Sequence, residues 1–186
     1  MIRSLARDDA RVPRLIDPAT EVRTSFLAAV AEFRADRDFP VPWYVTALPP
    51  VALTDESGFA AYVAGLLAER QEEAPRPVGF VPMTTLWWVE NDRFLGRLAI
   101  RHRLTPALQN AGGHIGYDVR PSARRQGHAT AMLATALPFA RALGIQEALL
   151  TCDDTNVASR RVIEANGGRY LDTVGTKRRY RIPTSV

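Results

Sequence analysis

Gly113-His114-Ile115-Gly116-Tyr117-Asp118-Val119-Arg120-Pro121-Ser122-Ala123-Arg124-Arg125-Gln126-Gly127-His128-Ala129 is the stretch on which the reading of this chain turns. His114 to Arg120 reads as a strand, Pro121 ends it, and a basic turn leads into a helix from Gly127 to Leu143. Ala129, Met132, Leu133, Ala136, Ala140 and Leu143 recur on one face of that helix. The first amides of a helix lack internal partners and lie at the positive end of its dipole. Such a mouth holds phosphate oxygens without any special side chain. Gly127 lets backbone approach a ligand, Ala129 avoids crowding it, and Arg124 and Arg125 add positive charge. The same residues also suit a solvated basic turn before an ordinary amphipathic helix. Taken alone, the segment leaves both readings open.

Upstream, the chain reads as helices followed by strands. Arg11 to Ile16 suggests a short strand, and Asp17 as N-cap with Pro18 at the first helical position announces a helix. Val22, Phe26, Ala29, Val30 and Phe33 then recur at helical spacing. Asp36 to Pro50, containing Phe39-Pro40-Val41-Pro42-Trp43-Tyr44, is a long loop of the kind that usually carries function. A second helix spans Asp55 to Gln71, with Phe59, Tyr62, Val63, Leu66 and Leu67 on one face. The period then changes, and Thr84 to Glu90 and Arg93 to His102 form paired strands about Asn91-Asp92. Within the helix after Gly127, Pro138 removes a backbone hydrogen bond and predicts a kink or a break. Glu147 to Cys152 is an apolar strand, Asn156 to Ala165 a short helix, and Asn166-Gly167-Gly168 its glycine-bearing end. Arg169 to Val174 and Thr176 to Ile182 complete the strands. The order is mixed α/β.

Composition narrows the function classes. The 186 residues are enough for one domain with a sizeable core, and 46% hydrophobic with 24% charged residues is ordinary globular usage. No apolar run approaches a membrane span. Met1 to Arg14 has no apolar signal core, and Cys152 is the only cysteine, so the expectation is a cytoplasmic protein without an internal disulfide. The net charge of +4 comes from many arginines and the single Lys177, interleaved with acids except at 120–125, 160–161 and 177–181. A field of that kind steers a polyanionic nucleotide cofactor. No basic-aromatic readout motif accompanies it, so no nucleic-acid partner and no membrane partner are expected. The three histidines lack close metal-ligand spacing, and no metal is expected.

The loop spacing matches neither the phosphate loop of nucleoside triphosphatases nor the three-glycine dinucleotide fingerprint. Arg124-x-x-Gly127-x-Ala129 between a strand and a helix instead resembles the coenzyme A pyrophosphate loop of the GNAT acetyltransferase superfamily. Downstream, Asp153-Asp154-Thr155-Asn156-Val157-Ala158-Ser159 followed by Gly167-Gly168 is similar to that family's next landmark. The resemblance spans Thr84 to Ile182 and also looks like a bacterial subgroup with a longer N-terminal part. It implies an acyl-CoA N-acyltransferase fold: a central, mixed, mostly antiparallel sheet of about seven strands with about four flanking helices. It further implies a single domain over 1–186, in which 1–82 supply acceptor-side helices and loops and 83–183 the sheet with the acetyl-CoA site.

Carried over to this chain, the amides of Arg125, Gln126, Gly127, His128, Ala129 and Thr130 hold the pyrophosphate, with Arg124 beside them. Tyr117, Asp118 and Val119 pair their backbone with the pantetheine arm, as an added strand does. The fourth and fifth strands, His114–Arg120 and Glu147–Cys152, splay to admit it, and Asn156 and Ser159 lie along it. Asn156 is equally suited to a plain N-cap. The implied activity is transfer of acetyl from acetyl-CoA to a small-molecule or peptide amine, and a homodimer is compatible with it.

A free amine is mostly protonated at neutral pH and attacks a thioester only when neutral, so a base is needed. Glu90, Asp118, Asp153, His102 and His114 are the available groups; Glu90 is the first choice because it closes a strand expected to run toward the acceptor side. The amide of Val119 is the candidate oxyanion donor. Many relatives protonate the departing thiolate with a tyrosine seven residues after the asparagine, where this chain has Ile163; Ser159 or a water takes that role, or the thiolate leaves unaided. Direct transfer in a ternary complex is preferred to an acetyl-Cys152 intermediate, because a lone strand cysteine is usually a small buried hydrophobe. Trp43, Tyr44, Trp87 and Trp88 are candidates to wall the acceptor pocket. Trp87 and Trp88 must face opposite sides of their strand, so at most one lines a given face. The alternative function is a non-catalytic acetyl-CoA sensor of the same fold.

Overall fold

The computed structural model describes residues 12–185. The expected strand at Arg11 begins at Arg14 (β1, Arg14–Ile16), Arg11 itself lying outside the described residues. Next come a 3-10 turn (Thr20–Val22) and helices α1 (Arg23–Ala35), α2 (Trp43–Thr46), α3 (Val51–Thr54) and α4 (Glu56–Ala68). Strands β2 (Met83–Glu90) and β3 (Arg93–Arg101), short helix α5 (Pro106–Asn110) and strand β4 (Ile115–Val119) follow. The chain ends with α6 (His128–Ala142), β5 (Glu147–Asp153), α7 (Val157–Ala165), β6 (Arg169–Val174) and β7 (Lys177–Pro183).

The strands form a four-stranded sheet, β1-β2-β3-β4, and a three-stranded one, β5-β7-β6, in which every pairing is antiparallel. The single mixed sheet expected from sequence is thus divided between β4 and β5. These strands meet only near one end. His114 N–H donates to Leu149 O at 2.6 Å, and Leu149 N–H donates to His114 Nδ1 at 2.9 Å. Gly113 (φ 62°) makes the contact possible, since a Cβ there would stand 2.3 Å from Leu149 O. Beyond this latch β4 and β5 diverge.

Side-chain alternation sorts the first sheet into two faces. Trp87, Val89 and Phe94 join Phe26, Phe33 and Phe59 of α1 and α4, with Trp87 stacked on Phe26 at 5.0 Å. Trp88, Leu98, Ile100 and Ile115 join Met132, Leu133, Ala136 and Ala140 of α6 and Ile163 of α7. Both strand tryptophans are therefore core residues.

Several local expectations change. Asp17 caps nothing: it pairs with Arg70 at 2.6 Å, and helical geometry begins only at Thr20. Asp55, by contrast, does cap α4, accepting from Gly58 N–H at 2.7 Å. Pro138 does not break α6, which runs through it, and Leu143 ends outside the helix, 38% exposed. No helix among the described residues is long and apolar enough to cross a membrane.

Candidate active site

Residues between β4 and α6 follow a left-handed backbone at Arg125 (φ 62°) and Gly127 (φ 83°). A turn of this type presents successive N–H groups to an anion. Ala131 N–H makes the first bond within the helix, to Gly127 O at 3.1 Å. The amides of Arg125, Gln126, Gly127, His128, Ala129 and Thr130 meet no acceptor among the described residues, and no side chain caps the helix. A Cβ placed on Gly127 would have nothing within 4 Å, so space lies open over the turn. These are the features a diphosphate needs.

The side chains around the turn are mostly occupied. Arg124 does not point its charge into the opening: Nη1 binds Asp36 Oδ2 at 2.6 Å, Nε donates to Val119 O at 3.2 Å, and the guanidinium stacks on Phe39 at 4.6 Å. That hydrogen bond holds the Asp36 carboxyl below its ordinary range. Arg125 is exposed. Gln126 folds back on Ser122 O at 3.2 Å, and His128 Nδ1 accepts from Trp88 Nε1 at 3.3 Å. Neither Arg120 nor the basic run 177–181 forms a free stripe: Arg120 pairs with Glu32, Lys177 with Asp153, Arg178 with Asp154, Arg179 with Asp172 and Arg181 with Glu147.

The edge of β4 continues the opening. Arg120 N–H donates to Leu95 O at 2.8 Å, and Val119 lies opposite Gly96. In an antiparallel ladder this register turns the Val119 N–H away from β3, and the Tyr117 N–H and C=O with it. They face the gap toward β5, where no ladder forms. Across the gap, Asn156 caps α7 by accepting from Ser159 N–H at 2.9 Å. Its carbonyl oxygen is thereby engaged as an N-cap. Tyr117 bridges the gap, its hydroxyl 2.9 Å from Ser159 Oγ and 3.3 Å from Ser159 O. Burial pushes the Tyr117 phenol well above its usual range.

A family model for the GNAT acetyltransferase domain matches residues 20–169. The chain belongs to the GNAT acetyltransferase family. Comparison with curated proteins gives no match. Among solved structures, RimJ of Mycobacterium smegmatis in complex with CoA-disulfide superposes with a TM-score of 0.63 at 20% identity, covering 94% of this chain and 83% of that one. The microcin C7 self-immunity acetyltransferase MccE, bound to acetyl-CoA and AMP, gives 0.61 at 13% identity over 91% of each chain. RimL, a ribosomal L7/L12 α-N-protein acetyltransferase in complex with coenzyme A, gives 0.59 at 17% identity, covering 91% and 92%. At these identities the likeness establishes the fold.

In this GNAT acetyltransferase the base candidates separate clearly. Glu90 ends β2 opposite Arg93, on the Trp88 side of the strand and with β3 between it and β4. The structure does not bring it to the gap. Asp153 is paired with Lys177 at 2.6 Å, and His102 Nε2 lies 2.8 Å from Thr84 Oγ1. His114 is the latch residue, and burial holds its imidazole below the usual value. Asp118 remains, on the strand that borders the gap and on the face toward α1 and α4. Its side chain is 30% exposed, with Arg97 Nη1 3.9 Å away. Burial raises its carboxyl above the ordinary range, Arg97 and Arg124 partly opposing the rise. A reachable carboxylate of raised basicity suits proton removal.

Cys152 is 5% exposed, and burial pushes its thiol up, the opposite of nucleophilic activation. Ile163 is buried in the core. Among the described residues no group of side chains could hold a metal ion. Arg97 went unread from sequence. It sits on β3 opposite Asp118 and beneath Trp43 and Tyr44, and nothing in its local pattern marks it.

Proposed function

We propose that this chain is an acetyl-CoA-dependent N-acetyltransferase that works by direct transfer in a ternary complex. The observation that carries the reading is the row of unbonded amides from Arg125 to Thr130 beneath open space at Gly127, continuous with the free edge of β4. The loop amides would hold the pyrophosphate, and the N–H and C=O of Tyr117 would pair with the pantetheine amides, leaving the Val119 N–H for the thioester. Bound there, the thioester supplies an acyl group activated toward amines. This reading keeps the cytoplasm, where such thioesters are held, as the place of work.

Asp118, rather than Glu90, takes the proton from the incoming amine, directly or through one water. The amine nitrogen forms the new bond to carbon as the carbon–sulfur bond breaks. Val119 N–H donates to the oxygen that gains charge. The proton needed by the departing sulfur comes from the Ser159–Tyr117 hydroxyl pair, which bridges the gap.

The test is thermal melting with acetyl-CoA, followed by an amine screen that reads free thiol. Acetyl-CoA should raise the midpoint in a concentration-dependent way, and a Gly127→Val variant should lose the rise. Equal responses from both proteins would remove the phosphate-loop assignment. The buried Ile163 also favours a second reading, a coenzyme sensor; that reading predicts the same rise with no thiol released by any amine.

A further inference from the structure

β3 buries a guanidinium that the rest of the fold does not satisfy. Arg97 is 3% exposed. Its nearest carboxylate, Asp118 Oδ2, is 3.9 Å from Nη1, beyond hydrogen-bond length. Nε and Nη2 have no partner at all among the described residues. The rings of Trp43 and Tyr44 cover the group at 5.0 and 4.8 Å. Tyr44 OH, Glu69 Oε2 and Thr85 Oγ1 are also buried and unpartnered among the described residues. Burying charge and polarity without partners is strongly unfavourable, so such a cluster indicates a missing ligand group.

Three features point to what is missing. Nε–H and the adjacent Nη2–H form one edge of the planar guanidinium, a fork that fits both oxygens of a carboxylate. Nη1 faces Asp118, so a group on the free edge would stand one guanidinium away from the proposed base. Arg101 lies on the same face of β3 and forms no ion pair among the described residues; its Nη1 is held by Gly112 O and Gly113 O at 3.2 and 3.1 Å. It lines a cavity of about 250 Å³ with Trp43, Phe80, Met83 and Leu108. Glu69, its carboxyl raised by burial, also lies in the field of Arg97 but forms no ion pair with it among the described residues, so the Nε/Nη2 edge stays open. Trp43, 45% exposed, belongs both to the cavity wall and to the lid over Arg97.

We infer that Arg97 binds a carboxylate of the acceptor, which makes the acceptor an amine that carries one close to its nitrogen: a free amino acid. The inference rests on the acyl-transfer reading for what is acetylated, and on Arg97 alone for what is recognised. The Nε/Nη2 edge holds the carboxylate, Trp43 shifts to admit it, and Asp118 receives the proton of the adjacent ammonium.

The full-length protein with coenzyme A is titrated with each common amino acid beside its carboxamide, following tryptophan emission and the thermal midpoint. Trp87 and Trp88 are buried in the cores, so an emission change reports Trp43. At least one free amino acid should bind about tenfold or more tightly than its amide. Arg97→Met should abolish that preference and Arg97→Lys restore part of it, while both keep the acetyl-CoA-induced rise that certifies a folded cofactor site. No preference in the wild type, or a preference that survives Arg97→Met, overturns the inference; the wild-type comparison needs no variant to fold. Carboxylate-selective binding without thiol release would sink the transfer reading and leave this one standing. Equal release from acids and amides would do the reverse.

Discussion

On the α6 side of the gap, the groups proposed to bind the cofactor are consecutive backbone amides, Arg125 to Thr130, which meet no acceptor among the described residues. On the α1 and α4 side the proposed groups are side chains carried by β3, β4 and α2: Arg97 and Tyr44, which are buried, Asp118, half-buried, and Trp43, exposed. The first region depends on a conformation and tolerates many side chains. The second depends on identities and tolerates few. Each can therefore be disabled without the other, and the effects should fall on different observables.

Asp118→Asn should have the largest effect, lowering kcat/KM by about 10²–10⁴. The acetyl-CoA-induced rise in midpoint should stay as in the wild type, which melting checks directly. Because burial raises the Asp118 carboxyl, the acid limb of the rate profile should lie above the ordinary aspartate value of 3.8, with rate rising as the proton leaves. A weakened acetyl-CoA response in this variant would break the separation.

Gly127→Val should act in the opposite way, removing the roughly 2.7 kcal/mol of protection expected at a hundredfold excess of acetyl-CoA over its Kd. The ligand-free protein should itself lose about 1–2 kcal/mol from the left-handed backbone at that position. Gln126→Ala and His128→Ala should retain the protection if, as proposed, amides rather than side chains do the binding. Loss in either would blur the contrast.

Tyr117→Phe or Ser159→Ala should each lower kcat about tenfold, equivalent to about 1.4 kcal/mol, with KM for acetyl-CoA little changed. A change in KM alone would reassign the pair to cofactor binding.

The smallest effect concerns the latch. Burial keeps His114 neutral in the fold, with Arg101 and Arg181 adding to the effect, so the unfolded chain binds the proton first. The stability this gives is complete above pH 6.5 and is lost as pH falls through the lower folded value. His114→Gln should remove that acid-side component and cost about 1 kcal/mol for the lost Leu149 bond. Denaturation at pH 8 and pH 5.5 would reveal a residual slope if another group were responsible.

The same contrast explains what could be read in advance. Gly127 and Asn156 sit at the starts of the helices they open, so local spacing exposes them. The opposite facing of Trp87 and Trp88 follows from strand alternation alone. Arg124 looked like a phosphate ligand because its partner, Asp36, is 88 residues away and invisible to local pattern. Asp17 and Pro18 carry an N-cap signature, but Arg70 claims the carboxylate across the fold. Arg97 occupies a position in β3 where a polar residue usually faces water. Only the helices packed on that face bury it.

His114 and Leu149 join two sheets that share no ladder, as a spine joins the covers of a book. Either cover can tilt without a single rung parting, and Gly113 is thin enough to let the spine close fully. The width offered to a slender chain between the covers is set along that spine and where Tyr117 reaches across to Ser159. A side chain added there would pry the whole volume open from its binding edge.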